Sequence, residues 1–276
     1  MTASAGSYGI TGRDATLSTG STGGSTDTSL ISRFEDFSSL ALGDNAEDSL
    51  LIGDAPGVIV MDPNGGGFQC VHDHILQHTT NTFQFGCTAA LEHNLQKGDE
   101  VWVTTKVLLP VGSSYYAEDH LKWFRLHTKT SGGTDIGYND MYLIPDGTFA
   151  FIYEGEQVWS DPSGVKPPVF GVWTSFEEHI VFDNVPASAG GGGLVHLWRD
   201  NELILTADNR QTLTASTDYS DAFFFWTYYN TRGGAPDGNQ DWYWTDYAVA
   251  IKCASRDDSV HLITDPNGIK RIGVIA

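Results

Sequence analysis

The segment Leu121-Lys-Trp-Phe-Arg-Leu-His127 carries side chains that could act on a sugar. In a strand, alternate residues share a face, so Trp123, Arg125 and His127 are expected on one side of the sheet. An aromatic ring stacks on the C–H surface of a pyranose, while a guanidinium and an imidazole bind hydroxyls and carboxylates. We therefore expect this face to be open and to contact a glycan, and the residues between these three to face the core.

An aromatic run, Phe223-Phe-Phe-Trp-Thr-Tyr-Tyr-Asn230, supplies a second set of groups that could bind a ligand. Both faces of this run are aromatic, which indicates a central strand that is covered on both sides. Its last residues, Tyr228, Tyr229 and Asn230, are polar enough to hydrogen-bond a sugar. We expect these three residues to contact the same glycan.

Two clusters have residue types that bind metal ions. His72 and His74 would share a strand face and His78 follows, but no Cys or Glu nearby completes a ligand set, so surface histidines are predicted. The segment 237–241 begins like a calcium loop but lacks the glycine and the glutamate that an EF-hand requires. The sequence predicts no metal centre and no cofactor, and it leaves a structural calcium bound at this turn as an alternative.

One pair of carboxylates has the alternate spacing that a glycosidase strand would use. Glu154 and Glu156 stand two residues apart, and paired carboxylates are the catalytic groups of glycoside hydrolysis. Gly155 between them indicates a hairpin turn instead of a continuous strand. Glycoside hydrolysis is therefore the weaker of the enzymatic alternatives.

Positioning these groups requires an all-β scaffold. The chain has 31 Gly, 12% aromatic and only 18% charged residues, which favours many strands joined by tight turns over long helices. Turn sequences such as Asp62-Pro-Asn-Gly65 and Pro145-Asp-Gly147 separate β-branched and aromatic runs. We predict an antiparallel β-sandwich of the jelly-roll type. Its predicted strands are 58–61, 100–110, 121–128, 148–153, 176–183, 194–198, 222–230 and 242–252.

The charge balance excludes several classes of partner. The 276 residues include 15 Lys and Arg against 35 Asp and Glu, a formal net charge of -20. Such a chain suits neither nucleic acid, whose phosphates need Lys and Arg, nor an anionic membrane. No apolar run is long enough to span a bilayer, and no ordinary secretory signal is visible. For the three cysteines buried thiols are predicted, and a bridge between Cys70 and Cys87 on neighbouring strands is the alternative.

Four segments together resemble a known family. They are Gly171-Val-Trp-Thr-Ser-Phe-Glu-Glu-His-Ile-Val-Phe-Asp183, Gly193-Leu-Val-His-Leu-Trp-Arg-Asp-Asn-Glu-Leu-Ile204, Phe225-Trp-Thr-Tyr-Tyr-Asn-Thr-Arg-Gly-Gly-Ala-Pro236 and Trp242-Tyr-Trp-Thr-Asp-Tyr247. In this order they are similar to concanavalin A-like jelly-roll proteins, specifically to the polysaccharide-lyase branch. The resemblance covers about residues 33–254. It implies the sandwich fold and an ancestry in glycan binding.

The same resemblance implies an elimination chemistry on uronic-acid polymers. In those lyases one group neutralises the uronate carboxylate, a base removes the C5 proton and an acid protonates the leaving oxygen. On this chain Arg125 would hold the carboxylate, His127 would be the base, and Tyr142 or Tyr229 the acid. The Gln-x-His and Tyr-x-Lys-Ala-Gly-x-Tyr strands of alginate lyases are absent, so these roles depend on residue types that share a face.

The first 32 residues differ in composition from the rest. Thr, Ser, Gly and Ala dominate residues 2–29, and such a segment buries too little apolar surface to fold alone. The stretch Gly6-Ser-Tyr-Gly-Ile-Thr-Gly-Arg-Asp-Ala-Thr-Leu17 resembles the start of bacteriophage structural proteins. We expect an extended assembly arm over 1–32, a jelly-roll domain over 33–254 and a C-terminal strand extension over 255–276. The extension could pair with the arm or with another subunit.

Three functions follow as hypotheses. The first is a virion-associated structural protein of a phage, such as a capsid decoration, fibre or tail component, with a glycan-contacting jelly roll. Its arm would add a strand to like subunits, giving a homo-oligomer in the virion. The second is a polysaccharide lyase that cleaves a uronic-acid polymer outside the cell. The third is a lectin-like module of a larger adhesin.

Overall fold

The structure is a computed structural model. It describes residues 7–9, 16–18, 30–45, 51–52, 57–75, 87–113, 121–144, 146–156, 158–159, 169–229, 240–252, 260–264 and 270–274. Within this described part no helix is long and apolar enough to cross a membrane. The described residues form 19 strands and one turn of 3-10 helix, Ala187–Ala189.

The strands are short and joined mostly by turns. Their bounds are β1 (Ser7–Gly9), β2 (Thr16–Ser18), β3 (Leu30–Glu35), β4 (Leu51–Ile52), β5 (Val58–Met61), β6 (Gln69–Ile75), β7 (Cys87–Leu95), β8 (Glu100–Leu108), β9 (Leu121–Lys129), β10 (Asp135–Leu143), β11 (Phe149–Tyr153), β12 (Val158–Trp159), β13 (Thr174–Val181), β14 (Leu194–Arg199), β15 (Glu202–Ala207), β16 (Tyr219–Tyr229), β17 (Gln240–Lys252), β18 (Val260–Thr264) and β19 (Lys270–Val274). Alternation explains how they fold: in β13, Phe176 and Ile180 are buried, while Ser175 and His179 are partly exposed.

Two antiparallel sheets face each other across one core. The seven-stranded sheet has the order β12-β11-β10-β9-β16-β7-β4, and the eight-stranded sheet has the order β15-β14-β13-β8-β17-β6-β5, with β3 also paired to β17. The predicted antiparallel β-sandwich of the jelly-roll type is confirmed. The pairs β1–β2 and β18–β19 form two further small sheets.

The core lies between the two sheets and is rich in aromatic rings. Its largest apolar side chains, all buried, are Phe37, Trp123, Phe124, Phe149, Phe151, Tyr153, Phe176, Trp242, Trp244 and Tyr247. Each such ring removes a large apolar area from water, which is the main source of stability in a sandwich of short strands.

Two strands that follow one another in the chain lie in the interior of the two sheets. β16 pairs with β9 on one side and β7 on the other. β17 pairs with β8 on one side, and on the other with β6 along its first half and β3 along its second half. Both sheets are therefore completed by strands from the last quarter of the described sequence.

Several elements differ from the sequence prediction. The predicted strand ranges omit β6, β7, β10 and β15, although His72 and His74 are expected on one strand face and Cys70 and Cys87 on neighbouring strands. In β10 the turn-forming and polar residues interrupt the β-branched and aromatic pattern. The turn expected at Gly155 is present, since Glu156 N–H donates to the carbonyl of Tyr153. The C-terminal strands β18 and β19 pair with each other.

The thiol of Cys70 is free and fully buried, so it forms no disulfide with Cys87. Burial in the sheet, with Asp62 nearby, raises the pKa of this thiol to about 12. A thiol that keeps its proton at neutral pH is a poor nucleophile. Cys70 is a packing residue.

Candidate functional site

A bulge in β9 decides which side chains reach the face of the seven-stranded sheet that points away from the core, here called the outer face. Met141 pairs with Phe124, but the next residue of β10, Tyr142, pairs with Lys122, which leaves Trp123 as an extra residue. A bulge of this kind lets two successive side chains point the same way. Consequently Trp123 and Phe124 both enter the core, and Lys122 joins Arg125 on the outer face.

Trp123 is therefore a correction to the sequence prediction, which placed it on an open sugar-binding face. It is fully buried, and its ring centroid lies 5.1 Å from that of Phe176, 5.5 Å from Phe149 and 5.7 Å from Trp242. Strict alternation puts Trp123 with Arg125, and the bulge reverses that assignment. The ring is a central packing element of the sandwich and does not contact a glycan.

The first cluster on the outer face is a buried charge network of Lys122, Arg125, Asp140, Tyr142 and Glu154. Arg125 Nε lies 2.7 Å from Asp140 Oδ1, and Lys122 Nζ lies 3.1 Å from Glu154 Oε1. The Tyr142 hydroxyl donates to the same Glu154 oxygen at 2.7 Å. Arg125, Lys122, Tyr142 and Asp140 are 5% exposed or less. Because its cations are already paired, this network is closed to a bound carboxylate.

The two carboxyl groups of the buried charge network hold different charges. Burial raises the pKa of Asp140 to about 7, against the opposing effect of Arg125. Burial also acts to raise the pKa of Glu154, but a hydrogen bond with Asp140 and the nearby cations lower it to about 2. Burial and these carboxyl groups raise the pKa of Tyr142 far above its usual value. Burial thus favours the protonated form of Asp140, whereas the nearby cations favour the ionised form of Glu154.

A second cluster, here called the histidine group, lies further along the outer face and is more open. It consists of His127, Lys129, Asp135, Tyr138 and Asp221. His127 Nδ1 lies 3.1 Å from Asp221 Oδ1, and His127 Nε2 lies 3.3 Å from the exposed carboxylate of Asp135. Lys129 Nζ lies 2.7 Å from Asp221 Oδ2. Tyr138 pairs with His127 across β9 and β10, with ring centroids 4.9 Å apart.

Arg125 joins the two clusters. Its guanidinium carbon lies 3.7 Å from the centroid of the Tyr138 ring, a cation–π contact that holds the ring from one side. Asp140 fixes the guanidinium in turn. The buried charge network therefore orients the aromatic member of the histidine group.

His127 and Tyr142 are too far apart to act on one sugar residue. Tyr138 is the register partner of His127, and Tyr142 lies four residues further along β10, or about 13 Å at the rise of a strand. The base and acid of an elimination must reach adjacent carbons of one ring. Tyr138 is the tyrosine beside His127.

The aromatic end of β16 is described only by its backbone. Tyr228 pairs with Lys122 and Tyr229 with Leu121, which brings this end of β16 beside the buried charge network. Asn230 lies outside the described residues. The prediction that these three residues contact a glycan stays a prediction.

The histidines and the turn that the sequence analysis considered for metal binding lie outside the two clusters. His72 Nε2 is 2.9 Å from Asp241 Oδ1, and its ring stacks on Tyr243, both on the eight-stranded sheet. The side chains of His74 and His78 lie outside the described part, as does most of the segment 237–241. Among the described residues no three His, Cys, Asp or Glu side chains are placed to hold a metal ion.

The sequence prediction missed most of the carboxylates and one tyrosine of the site. Tyr138, Asp140 and Tyr142 occupy alternate positions of β10, which places them on one face. That alternation is the signal that could have found them, but Gly137 and Asn139 between them make the segment resemble a loop. Glu154 lies in the turn after β11, and the sequence singles it out only as a carboxylate paired with Glu156 for glycoside hydrolysis.

Comparison with known proteins gives structural matches. No protein-family model matches the chain, and no curated protein matches it. An alginate lyase, Aly36B, solved as a double mutant with an alginate trisaccharide, has a TM-score of 0.55 at 13% identity, covering 82% of this chain and 98% of the lyase. An endo-β-1,4-glucuronan lyase from the fungus Trichoderma reesei has a TM-score of 0.53 at 12% identity, covering 82% and 96%.

A third match is the alginate lyase vAL-1 from Chlorella virus, with a TM-score of 0.54 at 13% identity, covering 72% of this chain and 90% of the lyase. At such low identities the likeness shows a shared fold. These three structural neighbours are polysaccharide lyases with the same sandwich architecture. The likeness therefore shows that this chain shares the fold of those lyases.

Proposed function

We propose that this protein is a polysaccharide lyase that cleaves a uronic-acid polymer by β-elimination at the histidine group. The observation that carries the proposal is the adjacency of His127 and Tyr138, opposite each other in register with ring centroids 4.9 Å apart. An imidazole and a phenol so placed can reach adjacent carbons of one sugar residue. The likeness in fold to glucuronan and alginate lyases supports the same assignment.

His127 acts as the base. Its Nδ1 faces Asp221 at 3.1 Å, so in the neutral ring Nδ1–H can donate to that carboxylate. Nε2 lies 3.3 Å from Asp135, and this exposed carboxylate must turn away before Nε2 can reach the substrate. Nε2 takes the C5 proton, and the electron pair of the C5–H bond forms the C4–C5 double bond. The bond from C4 to the glycosidic oxygen breaks at the same stage.

Tyr138 supplies the proton that the leaving oxygen needs. The guanidinium of Arg125 against its ring fixes the position of the phenol, so little motion is required at the moment of transfer. This assigns to Tyr138 the acid role that the sequence gives to Tyr142 or Tyr229. Tyr142 instead donates to Glu154, which helps hold the buried charge network together.

Lys129 is the cation that meets the uronate carboxylate. It lies two residues from His127 on the same face. Its Nζ pairs with Asp221 at 2.7 Å, but its side chain is a quarter exposed, so unlike the buried Lys122 and Arg125 it can turn toward a substrate. Neutralising the carboxylate makes the C5 proton more acidic, which is the requirement of the first step. The sequence assigns this role to Arg125. That residue is instead buried against Asp140 and packs against the Tyr138 ring.

The test is the rise in ultraviolet absorbance when unsaturated sugars form from glucuronan, alginate and other uronate polymers. We expect wild-type protein to give this rise on at least one polymer. His127→Gln and Tyr138→Phe should each lower kcat by a factor of about 10²–10⁴. His72→Gln is the matched control, because His72 also pairs with an aspartate but on the other sheet, and it should keep full activity.

Two results would overturn the proposal. A flat trace with wild-type protein across the polymer panel would leave a glycan-binding module without catalysis. Loss of activity in Tyr142→Phe but not in Tyr138→Phe would move the acid to the buried charge network.

A further inference from the structure

Two imidazoles lie next to each other on the face of the eight-stranded sheet that points away from the core. His179 on β13 and His196 on β14 are direct register partners. The residues beside them in sequence, such as Ile180 and Val195, are buried in the core, whereas both histidines are partly exposed. We name His179 and His196 the imidazole pair. It lies on the other sheet from the two clusters of the outer face.

The spacing of the imidazole pair suits one metal ion bound between the rings. The two ring centroids are 5.9 Å apart, with 47° between the ring planes. A metal ion lies about 2.0–2.1 Å from a ligating imidazole nitrogen, and thus about 3.2 Å from the centroid of that ring. Two rings that share one ion therefore have centroids about 5.2 Å apart at a tetrahedral angle and at most about 6.4 Å apart. The observed separation lies between these two values, so a shared ion requires no movement of the strands.

Neighbouring side chains hold both imidazoles in place. The ring of Trp102 on β8 stacks on that of His179, with centroids 4.4 Å apart and 3° between the planes. The ring of Trp198 meets that of His196 nearly at a right angle, with centroids 5.2 Å apart. Glu100 Oε2 lies 3.1 Å from His179 Nε2. A carboxylate that accepts from one ring nitrogen fixes the tautomer and leaves the other nitrogen for a metal, so His179 would bind through Nδ1.

The electrostatic surroundings of the imidazole pair also favour a bound cation. Burial, and after it the neighbouring His179, lowers the pKa of His196, so this ring is neutral at neutral pH. The neutral imidazole is the form that binds metals. Each ring has a carboxylate near it, Glu100 at His179 and Asp208 at His196, and carboxylates attract a cation. The net charge of -20 on the whole chain adds to this attraction.

We propose that His179 and His196 together bind one divalent transition-metal ion, which joins β13 to β14. Imidazole nitrogen suits Zn²⁺, Cu²⁺ and Ni²⁺, whereas Ca²⁺ and Mg²⁺ prefer oxygen ligands. Among the described residues no three His, Cys, Asp or Glu side chains are placed to hold a metal, so the protein supplies two ligands and water fills the other positions. Such an open site should bind Cu²⁺ more tightly than Zn²⁺. The site does not depend on the proposed lyase activity.

Isothermal titration calorimetry of the full chain with Zn²⁺ tests this site. We expect saturable binding that weakens as pH falls from about 7 to about 5, because both imidazoles must be deprotonated. His179→Asn and His196→Asn should each lower the affinity at least about tenfold, and the double variant should lose little more, because one ion needs both rings. His72→Asn is the matched control, since His72 also pairs with a carboxylate and stacks on an aromatic ring of the same sheet. It should bind Zn²⁺ as wild type does.

Electron paramagnetic resonance of bound Cu²⁺ gives a readout that needs no variant. We expect hyperfine splitting from two imidazole nitrogens in wild-type protein and from one in His196→Asn, with circular dichroism to check that the variant is folded. A wild-type spectrum with a single nitrogen, or no binding of either ion below millimolar concentration, would overturn the proposal. Additive losses in the double variant would overturn it too, because they would indicate two separate ions. Loss of binding in His72→Asn alone would place the ion at that histidine instead.

Discussion

Three carboxyl groups have raised pKa values because the fold buries them. Burial raises the pKa of Asp73 and of Asp140 to about 7, and that of Glu178 well above its usual value. Asp73 accepts a hydrogen bond from Trp244 Nε1 at 2.8 Å, while Glu178 has no hydrogen-bond partner among the described residues. At the residue scale, these groups link stability to pH.

Asp73→Asn should remove one part of that pH dependence. The unfolded chain releases the Asp73 proton near the ordinary aspartate pKa of 3.8, while burial in the folded chain raises this pKa to about 7. Between these two pKa values the folded state binds more protons than the unfolded state. The free energy of unfolding of wild type therefore falls as pH rises, by at most about 1.4 kcal/mol per pH unit from this group. Asparagine cannot ionise and can still accept from Trp244.

Urea unfolding of both proteins between pH 4 and pH 8 measures this effect. As pH rises from 4 to about 7, the free energy of unfolding of wild type should fall relative to that of Asp73→Asn. Asp140 and Glu178 are present in both proteins, so their contributions cancel in the comparison. A difference that stays constant with pH would show that Asp73 is ionised in the folded state.

At the scale of single elements, the bulge in β9 places Trp123 where truncation should be costly. Trp123→Ala removes a fully buried ring that packs against four other aromatic rings. We expect the free energy of unfolding to fall by about 3–5 kcal/mol, because the core keeps most of the resulting cavity. Chemical denaturation checks this, with Val111→Ala on the exposed surface as a control that should change little. Unchanged stability in Trp123→Ala would instead indicate that the ring lies on an open face.

The strands that could be predicted are those whose residue types match what a strand prefers. Runs such as Leu194–Arg199 and Trp242–Lys252 are β-branched and aromatic, and they fold as expected. β10 has Gly137, Asn139 and Asp140 in its middle, which disfavour a strand locally. It forms because Asn139 donates to the carbonyl of Thr212 and Asp140 binds Arg125, and contacts so distant in sequence leave no local signal.

The site was predictable only in part for the same reason. Arg125 and His127 share the outer face, as alternation predicts. Trp123 does not, because a bulge leaves no local mark in the residue pattern. Tyr138 and Glu154 reach the site through β10 and the turn after β11, and only the pairing of those strands brings them beside β9.

At the scale of the whole molecule, the arm can be separated from the sandwich by experiment. Residues 30–32 lie in β3 and pair with β17, so a deletion should end at Ser29. In the described part, β1 and β2 pair with each other and with no other strand. Removing residues 1–29 should therefore shift Tm by less than about 3 °C. Any assembly into larger particles, as the virion hypothesis predicts, should be lost.

Differential scanning calorimetry and light scattering measure the two effects separately. A folded, soluble domain that no longer forms particles would support the arm as an assembly element. Loss of folding would show that the arm belongs to the sandwich. The virion role itself stays a prediction from the sequence.

Because β16 and β17 lie in the interior of their sheets, they also determine when the chain can fold during its synthesis. β8 lies beside β17 and β9 beside β16, yet paired residues are 135–152 positions apart in the first pair and 90–108 in the second, so they leave the ribosome at different times. Long-range pairing of this kind slows folding and exposes unpaired strand edges while the chain waits. Neither sheet can therefore form in full until its interior strand, β16 or β17, has left the ribosome. A ribosome that stalls before β17 releases a product that cannot close either the eight-stranded sheet or the core.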